Sequence, residues 1–165
     1  MVDITSLTMS AVEYDRGDPK RIQHFIKVHS LARLIGVGEG LEGEKLGVLE
    51  AAAVLHDIGI HNCEKKYGSC SGKYQETKGG PVARELLSQL GAEDSFTEQV
   101  CFLIAHHHTY EGVDRSEWQI LLEADFLVNA YEDGLSAEAI KTAGKKLFST
   151  KTGKRLLSEM FGADI

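Results

Sequence analysis

Cysteine is scarce in this sequence, and what little there is excludes two common stabilising devices. Cys63, Cys70 and Cys101 are odd in number and lack any C-x-x-C spacing, so neither a disulfide framework nor a zinc knuckle is indicated. Reduced thiols in a cytoplasm are the expectation. Long apolar runs are missing as well, and none approaches the length of a membrane span. Met1 to Tyr14 has no basic start followed by an apolar segment, so nothing marks the chain for export. Basic residues are outnumbered, 18 Lys and Arg against 25 Asp and Glu for a net charge of −7. That balance argues against wrapping a nucleic-acid backbone, which needs a basic face, and leaves room only for a local basic pocket. Strand-like alternation, internal repeats and low-complexity segments are absent too.

What is present is one domain's worth of chain, 165 residues with 42% hydrophobic, enough to build a sizeable core. The apolar residues recur at helical spacing, so the expected fold is an all-α, single-domain helical bundle over 1–165. Its core is expected at about 19–133, with C-terminal helices over 134–162.

The stretch around which the chain is organised is Ala51-Ala52-Ala53-Val54-Leu55-His56-Asp57-Ile58-Gly59. So continuous an apolar run reads as a buried helix, yet it ends in two polar side chains, and buried polar groups need partners. His56 and Asp57 offer an imidazole nitrogen and a carboxylate oxygen from one rigid point, a pair that suits a divalent metal.

Earlier in the chain, Asp18 is placed to cap and Pro19 to open a helix running to about Ile35. On it His24, Val28, Leu31 and Ile35 fall on the core-facing stripe, Arg21 stands one turn before His24, and His29 points away. The helix expected from about Glu44 to Asp57 carries small alanines that permit close approach of a neighbour. Ile60 to Gly80 reads as a lysine-bearing loop over a site, with Lys65, Lys66, Lys73 and Lys78 among many glycines and Glu76 near its end. A loop this long is more often functional than idle.

Pro81 is expected to start the next helix. Ser95-Phe96-Thr97-Glu98 and Ser116-Glu117-Trp118-Gln119 have capping-box spacing. The run His106-His107-His108 cannot share one helical face, since successive residues turn by about 100°. Asp125 lands in an apolar stripe with Trp118, Leu121, Leu122 and Val128, where an unpaired carboxylate is costly. Ser136 is expected to cap a helix of ordinary packing.

His24, His56, Asp57 and Asp125 thus stand where apolar residues are preferred, on three different helices. Their order resembles the HD superfamily of metal-dependent phosphohydrolases, through His24-x-x-x-Val28-x-x-x-Ala32, the Ala-Ala-x-Leu-His-Asp-Ile-Gly run, and Ala124-Asp125. The resemblance covers about Arg21 to Ala130. It implies a divalent metal, with Fe, Mn, Zn, Co, Ni and Mg not distinguished, bound by His24, His56, Asp57 and Asp125. One ion is expected, and a second is allowed.

Similarity to HD-GYP members, which carry a His-His pair before a glycine that fits Gly112, implies that His106 and His107 hold further metal, with His108 turned outward. The chain departs from HD-GYP at Ile60, at Glu76 in place of a histidine, and in lacking Gly-Tyr-Pro. Glu76 is open to three readings: ligand of a second metal, base, or surface residue. Asp57 is expected to orient water, and Arg21, Lys66 and Lys73 to contact the phosphate of a small phosphorylated substrate, such as a nucleotide. The alternatives are a di-iron HD-fold oxygenase and a non-catalytic nucleotide-binding domain. Neither nucleic-acid backbone nor membrane is an expected partner, and the oligomeric state stays open.

Overall fold

The computed structural model describes the backbone of residues 2–59 and 72–162 and the side chains of 2–59 and 79–162. Among the described residues there are eight helices: α1 (Ile4–Tyr14), α2 (Pro19–Gly38), α3 (Gly43–Leu55), α4 (Gly72–Gln89), α5 (Asp94–His106), α6 (Ser116–Glu132), α7 (Ala137–Leu147) and α8 (Lys151–Phe161). No strand occurs among them. The all-α expectation therefore holds, and no helix of the described residues is long and apolar enough to cross a membrane.

Helix α3 is the centre of the packing. Every residue from Gly47 to Leu55 is buried, which a helix tolerates only when neighbours cover all of its faces. Helices α2, α5 and α6 supply that cover, with α1 against the remaining side. Helix α2 also packs on α6, and α4 on α5. The two elements that carry His24 and Asp125 are thereby seated beside the end of α3, which delivers His56 and Asp57.

Several ends follow the sequence rules. Asp18 accepts a hydrogen bond from the Arg21 amide, with Pro19 in the first turn of α2, and Ser136 accepts from the Ala139 amide. Other ends do not. Helix α2 runs on to Gly38, past the expected stop at Ile35. A helix over Ile4–Tyr14 forms where the periodicity is weak, capped by Asp3. Neither Ser95 nor Ser116 caps: the cap positions are Glu93 and Arg115, without side-chain cap bonds, and the Ser116 hydroxyl donates to Glu117 instead.

The larger correction concerns Pro81, which lies inside α4 and does not start it. A proline within a helix removes one hydrogen bond and costs about 3 kcal/mol in isolation, so packing must offset it. Gly79 shows how. A Cβ there would meet the Ile104 side chain at 2.8 Å, with His56 O at 3.8 Å and Gly59 N at 3.9 Å. The bare backbone lets α4 lie directly against α5 and the His56–Gly59 turn. The expected loop of Ile60 to Gly80 is thus helical from Gly72. Cys63, Lys65, Lys66 and Cys70 lie outside the described residues, and Lys73, Glu76 and Lys78 have their backbone in α4 but their side chains outside the description.

The C-terminal helices are tied to α2 and α6 by two glutamates. Glu123 on α6 is fully buried. It accepts hydrogen bonds from the Ser149 and Thr150 amides at 2.8 and 3.0 Å, from the Thr150 hydroxyl, and from Gln119. Glu39, just past α2, accepts from the Thr152 amide at 2.7 Å and its hydroxyl at 2.6 Å. Glu39 thereby satisfies a free amide in the first turn of α8, and both carboxylates, standing at its N-terminal end, complement the helix dipole.

Candidate metal centre

The end of α3 places His56 at its C-cap, fully enclosed, with Nδ1 donating to the Ala53 carbonyl at 2.9 Å. His24, from α2, has Nδ1 2.8 Å from Glu132 Oε2. His107, at the end of α5, donates from Nδ1 to the Ile104 carbonyl at 2.6 Å. A neutral imidazole carries one N–H, so committing Nδ1 to an oxygen acceptor leaves Nε2 as a bare lone pair. These are the tautomers that metal-ligating histidines adopt.

The Nε2 atoms converge with two carboxylates. His24 Nε2 and His56 Nε2 are 3.2 Å apart. Asp125 Oδ1 lies 3.2 Å from the first and 3.4 Å from the second, and Asp57 Oδ2 lies 3.6 and 3.5 Å from them. Ligand atoms about 2.0–2.2 Å from a metal sit about 3.0–3.5 Å from their neighbours around it, so the spacings fit a shared ion. Hydrogen bonding does not account for the arrangement: Asp125 Oδ1 and His107 Nε2 are both buried and make no well-oriented hydrogen bond. Buried polar atoms left so are rare and ask for a reason, which a cation supplies.

Asp57 faces two ways. While Oδ2 is turned to His24 and His56, Oδ1 lies 3.4 Å from His107 Nε2. Asp57, His107 and His108 form a second group whose ligand atoms fall within 4.8 Å of one another, as do those of His24, His56 and Asp57. The two clusters are each able to hold a metal, and they share Asp57.

The histidine run is therefore displaced by one residue from the sequence expectation. His107 and His108 stand at the second cluster, and His106 does not. The His106 ring stacks on Phe102 with centroids 4.2 Å apart and packs against Trp118, with Nδ1 donating to the Phe102 carbonyl. The physical reason is that α5 ends at His106, so the next two residues leave helical phase and turn back toward Asp57. Trp118 Nε1 donates to the His106 carbonyl at 2.9 Å and fixes that end.

Electrostatics follow the geometry. Burial pushes His56 down, but Asp57 and Asp125 more than offset it and raise its pKa to about 9. His24 is raised for similar reasons, burial opposing and Asp125 prevailing. Against the same burial, the imidazoles of His56 and His107 hold Asp57 below the usual carboxylate range, and those of His24 and His56 do so for Asp125. His108 is pushed down by burial and by His107.

Two groups absent from the sequence reading belong here. Glu132 orients His24 and is itself held by Lys27. A signal existed: Glu132 lies two turns after Asp125 on the same face of α6. Lys20 is the other. It lines a cavity of about 220 Å³ that opens onto the cluster, together with Asp18, Arg21, His24, Asp57, Asn129, Glu132 and Asp133. Arg21 lines this cavity, its guanidinium 3.3 Å from Asp18.

Comparison with known proteins finds a solved structure and a family model that match. The crystal structure of a predicted HD superfamily hydrolase from an uncultured Thermotogales bacterium matches with a TM-score of 0.65 and 27% sequence identity, covering 96% of this chain and 83% of the other. No curated protein matches. The HD domain family model matches residues 21–143, a span that contains every side chain of both clusters, and the chain belongs to the HD domain family.

Proposed function

We propose that the protein hydrolyses small phosphate esters, nucleotides or other phosphomonoesters or phosphodiesters, at a divalent-metal centre held by His24, His56, Asp57 and Asp125. The observation that carries the reading is a buried convergence of imidazole lone pairs and carboxylates, opening into a cavity whose wall bears Lys20 and Arg21. The solved relative described as a predicted hydrolase supports it.

A divalent ion bound there supplies Lewis acidity toward a phosphoryl oxygen and lowers the pKa of water. The chain's own groups do the rest. Asp57, ionised and facing both clusters, orients a water by accepting its hydrogen bond. His107 and His108, with Asp57, provide for a second ion, and Glu132 keeps His24 in the tautomer that turns Nε2 inward. Lys20 and Arg21 offset phosphate charge, with the Arg21 guanidinium steadied by Asp18. Lys66 and Lys73 join them in this proposal, and Glu76 is assigned as a further base. For Lys73 and Glu76 the support is positional, since α4 carries them into the segment that meets the His56–Gly59 turn at Gly79, whereas Lys66 rests on the sequence pattern alone.

The test is phosphate release from a panel of phosphomonoesters, nucleotides and phosphonates, on protein stripped of metal and then reloaded, with and without oxygen. Restoration by metal, independent of oxygen, is expected. Product formed only with oxygen would transfer the site to paired-iron chemistry, and binding without turnover would make it a ligand-binding domain.

A further inference from the structure

Helix α6 and its C-cap carry polar groups beyond Asp125, which faces the metal cluster, into the adjoining cavity. Asn129 and Asp133 follow at four and eight residues, and both line the same space as His24 and Asp57. Each step of four rises about 6 Å and turns about 40°, so the pair lead outward from the metal cluster along one wall.

An inventory of the cavity's polar groups separates those already engaged from those that are not. Glu132 is taken by His24 and Lys27, and Arg21 by Asp18. The Asn129 amide and the Asp133 carboxylate make no side-chain hydrogen bond or ion pair with the described residues. Asn129 is half-buried and Asp133 exposed. An amide that lines a cavity beside a metal cluster without a partner among the described residues is poised for a ligand, because groups placed in this way are what orient small molecules in pockets.

The chemistry of the two side chains limits what part of the ligand meets them. A carboxylate repels phosphate, so the phosphoryl group belongs with Lys20 and Arg21 and the wall of Asn129 and Asp133 receives something else. An amide offers donors and an acceptor, and a carboxylate offers acceptors only. Together they match hydroxyl groups on neighbouring carbons, which both donate and accept.

Resting on the phosphohydrolase reading, we infer that Asn129 and Asp133 recognise hydroxyl groups on the carbon skeleton of the substrate, which makes the substrate class the phosphates of polyhydroxylated skeletons, sugars and nucleosides among them. Esters of plain alcohols bind through the phosphate alone.

The experiment is calorimetric titration under nitrogen of metal-loaded protein with three phosphonates, whose C–P bond resists hydrolysis so that equilibrium is reached. They are methylphosphonate, the phosphonate isostere of ribose 5-phosphate, and 2-aminoethylphosphonate. Asn129→Ala and Asp133→Ala are each expected to weaken the ribose isostere about three- to tenfold, the size of a lost neutral or exposed hydrogen bond, while methylphosphonate stays within about twofold of the parent. Asp133→Asn, which keeps an acceptor, is expected to retain most of the selectivity. Equal losses on all three probes, or no loss on any, would overturn the inference. So would a loss confined to the aminoethyl compound, which would make Asp133 a reader of ammonium. Failure of the parent to bind methylphosphonate in a metal-dependent way would sink the phosphohydrolase reading itself, and the inference with it.

Discussion

Glu132 Oε2 stands 2.8 Å from Nδ1 of His24, with Lys27 on the other carboxylate oxygen. This pair decides which nitrogen of His24 faces the cluster. Groups that orient a ligating histidine typically contribute about 10- to 100-fold in metal affinity. Glu132→Ala is therefore expected to weaken metal binding in that range, with Glu132→Gln, which keeps an acceptor for Nδ1, in between. Competitive titration against a chromophoric chelator measures it, and unchanged affinity in Glu132→Ala would reduce the pair to a surface ion pair.

The histidine run separates two registrations. His108→Ala should remove the second equivalent of metal and leave the first, since His108 belongs to the cluster that shares Asp57. His106→Phe should change neither, because His106 stacks on Phe102 and packs on Trp118. Elemental analysis after dialysis against metal gives the stoichiometries, and the reverse pattern would make His106 the ligand and His108 the bystander.

Acidity couples to the site with a definite sign. In metal-free protein His56 is raised from 6.5 to about 9, so its contribution to stability is complete below pH 6.5 and is lost as pH rises toward 9. Asp57 and Asp125 are lowered from 3.8, so theirs is present above that value and lost as pH falls. The Tm of metal-free protein should rise somewhat toward pH 6.5, where His108, lowered from 6.5, no longer gains from unfolding, and decline from there toward pH 9. Metal binding requires bare imidazole, so affinity should rise over that alkaline interval and uptake should release protons. A pH-independent affinity between 6.5 and 9 would contradict the shared site.

Stability rests partly on Glu123. Glu123→Ala leaves the Ser149 and Thr150 amides without their acceptor, a loss of about 2–4 kcal/mol for a buried charged group with several donors. Gly153→Ala should be destabilising as well, since its Cβ would fall 1.9 Å from Glu123 Oε2 and overpacking costs about 1–3 kcal/mol. Urea unfolding of the two variants checks both, and parent-like midpoints would show that α8 is not anchored there.

How much of the fold and the site is legible in the sequence depends on where the signal sits. His24, His56, Asp57 and Asp125 are readable because each interrupts an apolar stripe, and helical periodicity alone makes such an interruption visible. His106 misleads because the helix ends inside the run, and a helix end is fixed by a tertiary contact, the Trp118 hydrogen bond, which no local pattern records. Pro81 misleads for a similar reason: propensity sets a helix start there, and the packing of α4 at Gly79 overrides it. Glu132 escapes notice although its seven-residue spacing from Asp125 places it on the right face, because acidic residues near a helix end normally read as solvated. Lys66, Lys73 and Glu76 stand out only by belonging to a glycine-rich stretch, and their side chains lie outside the described residues.

The central claim is that His24, His56, Asp57 and Asp125 surround one divalent ion. Equilibrium metal titration with elemental analysis of His56→Ala beside the parent tests it most directly. The account predicts that the variant, folded by circular dichroism, loses the metal that the parent retains through dialysis. Parent stoichiometry at parent affinity in His56→Ala would contradict it.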